Sequence, residues 1–217
     1  MSEHQQLSEE ILRLVASLET SYLQSDDPIR QSGFGGGAKR WREEREPILD
    51  AVDGDGDLLD IGCANGFLLE SLVAWGQERG LALIPFGLDL GERLIARARA
   101  RMPRFAANFH AGNGWDWEPP RRFRYVYTLS DCVPPAYFAE YARRLLARVV
   151  APEGRLIVGS YGSFSRQIAP ADVAALLEAA GLPVAGESAG GDPIMARFAW
   201  TRRHLEKRKP VPWDFST

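Results

Sequence analysis

From Asp57 onward, short apolar runs alternate with amphipathic stretches, and this alternation restricts the fold more than any other feature of the chain. The strand-like runs are Asp57–Ile61, Ala82–Leu88, Phe105–His110, Tyr125–Leu129 and Arg155–Ser160. Helical spacing covers Phe67–Arg79, Glu92–Met102, Pro135–Val150 and Ala171–Ala180, with stops at Gly80, Pro103, Pro152 and Gly181. Strand–helix alternation implies a mainly parallel sheet with helices on both faces, a doubly wound α/β fold. After Gly181 the alternation ends. Pro183–Ser188 and Ile194–Arg202 flank the turn Ala189-Gly190-Gly191-Asp192-Pro193, which predicts a terminal antiparallel hairpin.

The segment before Asp57 follows other rules. Leu7, Ile11, Leu14, Val15, Leu18 and Tyr22 recur at helical spacing, with Ser8 as a candidate cap. A glycine-rich run, Gly33-Phe34-Gly35-Gly36-Gly37, precedes a charged helical stretch from Ala38 to about Ala51, and Asp53-Gly54-Asp55-Gly56 reads as a turn. The chain thus divides into a helical extension or cap (1–56), an α/β core (57–203) and a short tail (204–217).

Composition removes several classes of function. Of 217 residues, 45% are hydrophobic and 25% charged, which excludes wholesale disorder. A net charge of −3 argues against a dedicated nucleic-acid binder, although a local basic patch would escape this test. Two cysteines, Cys63 and Cys132, cannot form a disulfide framework or a thiolate zinc site, and no His/Asp/Glu cluster has metal-ligand spacing. The polar N-terminus is not a signal peptide and the apolar runs are too short to span a membrane, so a cytoplasmic protein is expected.

Ligands of doubly wound sheets bind beyond the carboxyl ends of the strands. The first strand leads into Asp60-Ile61-Gly62-Cys63-Ala64-Asn65-Gly66 and then directly into a helix. Gly62 and Gly66 allow a sharp turn and close backbone approach, but the pattern is not the dinucleotide fingerprint G-x-G-x-x-G. A carboxylate at Asp60 disfavours a pyrophosphate and suits a cationic or zwitterionic ligand. Asp89, 23 residues beyond Gly66, ends the second strand where an acid can accept from both hydroxyls of a ribose. The third strand ends in His110-Ala111-Gly112-Asn113-Gly114-Trp115, where an amide oxygen and a backbone N–H can address an adenine edge. Trp115 is expected to cover the core.

Together the glycine loop, Asp89, the Asn113 loop and the closing hairpin make residues 57–203 resemble a class I S-adenosylmethionine-dependent methyltransferase. The resemblance implies a seven-stranded, mainly parallel sheet with an antiparallel C-terminal hairpin. It implies that Asp60 orients the methionine end of S-adenosyl-L-methionine, while Gly62, Cys63 and Gly66 offer backbone contact. Asp89 would bind the ribose, Leu90 would pack on the adenine, Asn113 and Gly114 would read its edge, and Leu129 would give a carbonyl near the amino acid. Many relatives carry Asp where this chain has Asn113. The residues agree independently, since this cofactor has a ribose, an adenine, a zwitterion and a sulfonium but no phosphate.

Methyl transfer from a sulfonium needs alignment more than acid–base chemistry. Should the acceptor need a base, Asp131 and Tyr161 lie just after the fourth and fifth strands, and His110 is a weaker candidate. The plainer reading of Asp131 is a cap for the helix introduced by Pro134 and Pro135, and that of His110 a structural residue. The segment lacks the Asn/Asp-Pro-Pro-Tyr motif of amino-directed nucleic-acid methyltransferases. The glycine-rich run is read as a lid, with Phe34 or Trp41 facing the substrate; the alternative is a flexible linker with Trp41 packed on the core. Arg93, Arg97 and Arg101, and Arg121, Arg122 and Arg124, are read as solvated faces. The expected partner is a small-molecule methyl acceptor. An NAD-dependent oxidoreductase and a non-catalytic cofactor-binding protein are the competing readings.

Overall fold

The structure is a computed structural model that describes Ser17 and residues 19–204. Seven strands form one sheet: β1 (Gly56–Ile61), β2 (Leu83–Asp89), β3 (Phe109–Ala111), β4 (Phe123–Leu129), β5 (Val150–Tyr161), β6 (Gly186–Gly190) and β7 (Ala196–Arg202). Their spatial order is β3-β2-β1-β4-β5-β7-β6. β1 to β5 are parallel, and β7 inserts antiparallel between β5 and β6. The chain leaves β1 towards β2 and β3, then returns to β1's other side as β4. The switch point therefore lies between the carboxyl ends of β1 and β4.

The helices are α1 (Gly37–Arg45), α2 (Phe67–Glu78), α3 (Glu92–Arg101), α4 (Phe138–Arg144) and α5 (Val173–Ala179). α2 and α3 pack on one face of the sheet, burying Leu69, Leu72 and Trp75 from the former and Ile95 and Ala98 from the latter. α4 and α5 cover the other face through Phe138, Tyr141, Val173 and Leu177. The N-terminal extension joins the first face, where Ile29, Trp41, Ile48, Leu49 and Val52 enter the same apolar cluster as Leu58, Tyr125 and Tyr127.

Several boundaries differ from the sequence reading for identifiable reasons. Phe105–His110 is not one strand: Pro103–Asn108 forms a 3-10 segment and only Phe109–Ala111 pairs with β2. The Asn108 side chain turns this segment by donating to the Pro85 carbonyl. The Pro135–Val150 helix is split into a 3-10 turn at Pro135–Tyr137, α4, and a π turn at Leu145–Val149. The Ala38–Ala51 stretch changes from α to 3-10 at Glu46, beside Pro47, whose missing N–H interrupts the helical ladder. The Leu7–Tyr22 helix lies mostly outside the described residues, as do Ser8 and the tail beyond His204, while residues 19–22 are helical. No helix among the described residues is long and apolar enough to cross a membrane.

Trp41 is 3% exposed; its indole N–H donates to Ser71 Oγ on α2, and its ring lies 5.1 Å from that of Phe67. Truncation to alanine is expected to cost about 3–5 kcal/mol, read as a lower midpoint in urea unfolding. A midpoint unchanged from the wild type would show that the extension adds nothing to the stability of the core.

Candidate active site

At the switch point β1 delivers Asp60 to the face shared with the N-terminal extension. Its registered neighbours are Gly87 on β2 and Tyr127 on β4. Asp60 is 2% exposed, and its Oδ2 has no hydrogen-bond partner among the described residues. Burial, reinforced by the Asp89 charge, pushes its carboxyl up to about 8.

Beyond Ile61 the loop turns on glycines. Gly62 has φ +90° and Gly66 φ +75°, both left-handed. A Cβ on Gly66 would stand 2.9 Å from Ala98 Cβ, so α3 can approach only because none is present. The N–H groups of Gly62 and Cys63 donate to the Leu88 carbonyl, and that of Gly66 to the Cys63 carbonyl. The loop therefore does not offer these three donors to a ligand, contrary to one expectation for Gly62, Cys63 and Gly66. It offers close approach at the exposed Gly62.

Asp89 holds this loop in place. Its Oδ2 accepts from Ala64 N and its Oδ1 from Gly91 N, each at 2.8 Å. Burial raises its pKa, while these two N–H donors pull in the opposite direction. The extension approaches the same spot from outside. Glu19 Oε1 accepts from Arg93 N and Leu94 N at the start of α3, supplying a cap that the local sequence lacks. Tyr22 lies close enough to Asp89 and Asp131 for both charges, after burial, to raise its hydroxyl's pKa.

Asn65 was not singled out from sequence. It is fully buried, donating to the Pro28 carbonyl and Gln31 Oε1 and accepting from Phe67 N. One side chain thus joins the extension to the glycine loop. The only sequence sign was a short amide beside a helix start.

The other expected residues surround the same strand ends. Leu90 follows β2 half-buried, and Leu129 ends β4 with its carbonyl accepting from Cys132 N. Asn113 Oδ1 accepts from Trp115 N, so the side chain shapes its own turn, with Gly114 inside it. Trp115 stacks on Tyr141 at 6.2 Å, which is core cover as expected. His110 lies against Trp117, and burial together with nearby Arg99 lowers its pKa. Asp131 is exposed and caps neither the 3-10 turn nor α4, so the capping expectation is corrected: the N-cap positions are Pro134 and Tyr137. Pro134 at the turn fixes the backbone there without a side-chain acceptor.

Towards β5 the extension closes over Tyr161. The Tyr161 hydroxyl lies 3.0 Å from that of Tyr127, and burial raises the pKa of both groups. The two phenols thus share one hydrogen bond. Phe34 packs edge-on to Trp41 at 5.7 Å and is partly exposed at the mouth. Trp41 belongs to the core; its expected contact with substrate is replaced by Ser71 and Phe67. Between them lies Arg45, which sequence reading left within a charged run. The arginines read as solvated faces are partly structural. Arg101 binds the Asn65 carbonyl and Glu70, Arg121 pairs with Asp57, and Arg124 pairs with Asp53.

A parallel sheet ordered 3-2-1-4-5-7-6 with an antiparallel seventh strand, and an acid-bearing glycine loop at its switch point, is the Rossmann-like fold of class I S-adenosylmethionine-dependent methyltransferases. The chain is similar to the 1,6-didemethyltoxoflavin-N1-methyltransferase of Burkholderia thailandensis, solved with 1,6-didemethyltoxoflavin and S-adenosylhomocysteine, at TM-score 0.63 and 17% identity over 91% of this chain and 90% of that one. It is similar to the magnesium protoporphyrin IX methyltransferase of Synechocystis, solved with S-adenosylmethionine, at TM-score 0.56 and 16% identity over 87% and 97% of the two chains. A third likeness is a putative methyltransferase of Haloferax volcanii in complex with the activator Trm112, at TM-score 0.57 and 16% identity over 79% and 92%. These likenesses show the fold. No family model matches the chain, and no curated protein matches its sequence.

Proposed function

We propose that the protein is an S-adenosylmethionine-dependent methyltransferase acting on a small-molecule acceptor. Asp60 carries the reading: a buried carboxyl at the switch point, beside the glycine loop, whose Oδ2 has no hydrogen-bond partner among the described residues, suits the ammonium end of a zwitterionic ligand. When bound, S-adenosylmethionine supplies an electrophilic methyl on a sulfonium with a neutral thioether as leaving group. Asp60 holds the amino-acid end, and Gly62 lets that end lie against the backbone. Asp89, fixed by two backbone N–H groups, turns its remaining lone pairs to the ribose hydroxyls. Leu90 packs on the base, Asn113 and Gly114 meet its edge, and the Leu129 segment bounds the methionine side.

Residues 57–203 serve as the cofactor-binding core, and the extension as a cap that bounds the acceptor space. Asp131 is the base candidate at the rim of β4. Alignment and exclusion of water supply the catalysis, up to roughly 7–11 kcal/mol when the reacting atoms are held well. The buried site beneath the cap and the chain's net charge of −3 both favour a small acceptor over RNA.

Calorimetry with S-adenosylhomocysteine and with NAD tests this reading. The former is expected to bind in the micromolar range and the latter not at all. Asp89→Ala is expected to weaken S-adenosylhomocysteine at least tenfold. Binding of NAD alone, or of neither nucleotide, would overturn the assignment.

A further inference from the structure

Arg45 ends α1 beneath the cap, 5% exposed. Its guanidinium carbon lies 4.0 Å from the ring centre of Phe34, 4.2 Å from that of Trp41 and 4.3 Å from that of Tyr161. Three aromatic rings thus enclose one cation. Its Nη1 has no hydrogen-bond partner among the described residues. The Glu44 carboxylate stands 3.5 Å from that nitrogen, but it binds Arg40 much more closely, at 2.6 Å. Two arginines therefore share one buried carboxylate. On the sheet side, Asp60 acts on Tyr127 and Tyr161, and burial pushes its carboxyl up to about 8. With two arginines on one carboxylate, the cluster carries an excess positive charge and an unused planar donor, an unfavourable state for a buried cation until an anion arrives.

The location gives this charge a use. Tyr161 is the last residue of β5, at the carboxyl end of the sheet, and its hydroxyl meets that of Tyr127, the registered neighbour of Asp60. Arg45 therefore stands on the far side of Tyr127 and Tyr161 from Asp60. Of the three rings, only Phe34 is carried on a loop with glycines on both sides, and Trp41 is anchored to α2 through Ser71.

We propose that Arg45 is the anchor for a carboxylate on a planar, aromatic methyl acceptor, which enters by displacing Phe34. The proposal rests on the methyltransferase reading and names the substrate class of that site. A guanidinium fork matches a carboxylate in plane and direction, and its faces stack on rings, so acceptor ring and acceptor charge are recognised by one side chain. Arg45 is thus a specificity residue: it selects acids over their neutral isosteres and takes no part in methyl transfer.

The test uses 4-hydroxybenzoate and indole-3-carboxylate, each beside its carboxamide, titrated into the full chain with and without S-adenosylhomocysteine. At least one acid is expected to bind at least tenfold more tightly than its amide. In Arg45→Lys that preference is expected to fall below threefold, with S-adenosylhomocysteine affinity unchanged. Equal binding of acid and amide by the wild-type protein, or no binding of either acid, overturns the proposal without relying on a variant that must fold. A chain that prefers the acid but does not bind S-adenosylhomocysteine keeps the anion site and loses the cofactor assignment.

Discussion

Asp60→Asn is expected to melt at a higher temperature than the wild type at pH 8 and slightly below it near pH 3. In the folded protein the Asp60 carboxyl titrates at about 8. In the unfolded chain an aspartate titrates at about 3.9. Between these values the folded state holds a proton that the unfolded state has lost. The unfolded state therefore binds fewer protons, and stability falls as pH rises through this window. Below the unfolded value both states are protonated, and well above 8 both are ionised, so the slope vanishes at either end. A separation of about four units sets a ceiling of roughly 5 kcal/mol. An amide of the same shape avoids the charge but leaves its own donors buried, so a gain of about 2–4 kcal/mol at pH 8 is expected. At about 2–4 °C per kcal/mol for a chain of this size, the melting temperature rises by roughly 4–16 °C. The same variant is expected to lose at least tenfold in affinity for S-adenosylmethionine, a cost in function typical of strained sites. Parallel melting curves for wild type and variant from pH 3 to 9 would refute the account of Asp60.

The second large effect is expected at Gly66. Alanine there must adopt φ +75°, a left-handed conformation costing about 1–2 kcal/mol. Its Cβ would also meet Ala98 Cβ at 2.9 Å and Phe109 at 3.3 Å, so α3 must move, which adds about 1–3 kcal/mol. Gly80→Ala is the control, because its φ is +77° and nothing lies within 4 Å of the added methyl. Gly80→Ala is expected to show the backbone cost alone. Gly66→Ala is expected to lose about 2–5 kcal/mol in denaturant unfolding and to weaken S-adenosylhomocysteine, because α3 begins just after Asp89, which is tied to Gly91 N at its start. Equal losses in the two variants would mean that the close approach of α3 is not what requires glycine.

The central strands were legible because β1 and β4 are buried on both faces, which writes the apolar stretches Leu58-Leu59 and Tyr125-Val126-Tyr127 into the sequence. β3 was not, because three paired residues are too few to distinguish from the apolar 3-10 turn at Phe105 that precedes them. The placement of Asp60, Asp89 and the glycine loop at neighbouring strand ends could be read because the strand–turn–helix punctuation lies in adjacent residues. Arg45 could not. It lies in Lys39-Arg40-Trp41-Arg42-Glu43-Glu44-Arg45, where the pattern of charges describes a solvated helix. Its burial depends on Phe34 and Tyr161, one before the helix and one over a hundred residues after it. Asp131 shows the opposite failure: a common capping residue stands before a helix whose entry is set by proline backbone instead.

The contacts of the extension bear on how such a protein can be diversified. Glu19 and Asn65 attach the cap to α3 and the glycine loop, while the Ser188 hydroxyl on β6 donates to the Pro47 carbonyl. A Cβ on Gly190 would collide with the backbone of Glu43 and Glu44, so the hairpin edge is shaped to fit α1. The N-terminal segment is therefore not an exchangeable module. A chimera that imports a foreign cap onto this core inherits a mismatched seam along β6, whereas one that moves residues 19–51 together with residues 186–202 keeps the seam intact. New acceptor preferences on this scaffold are expected to arise from paired changes at the two ends of the chain.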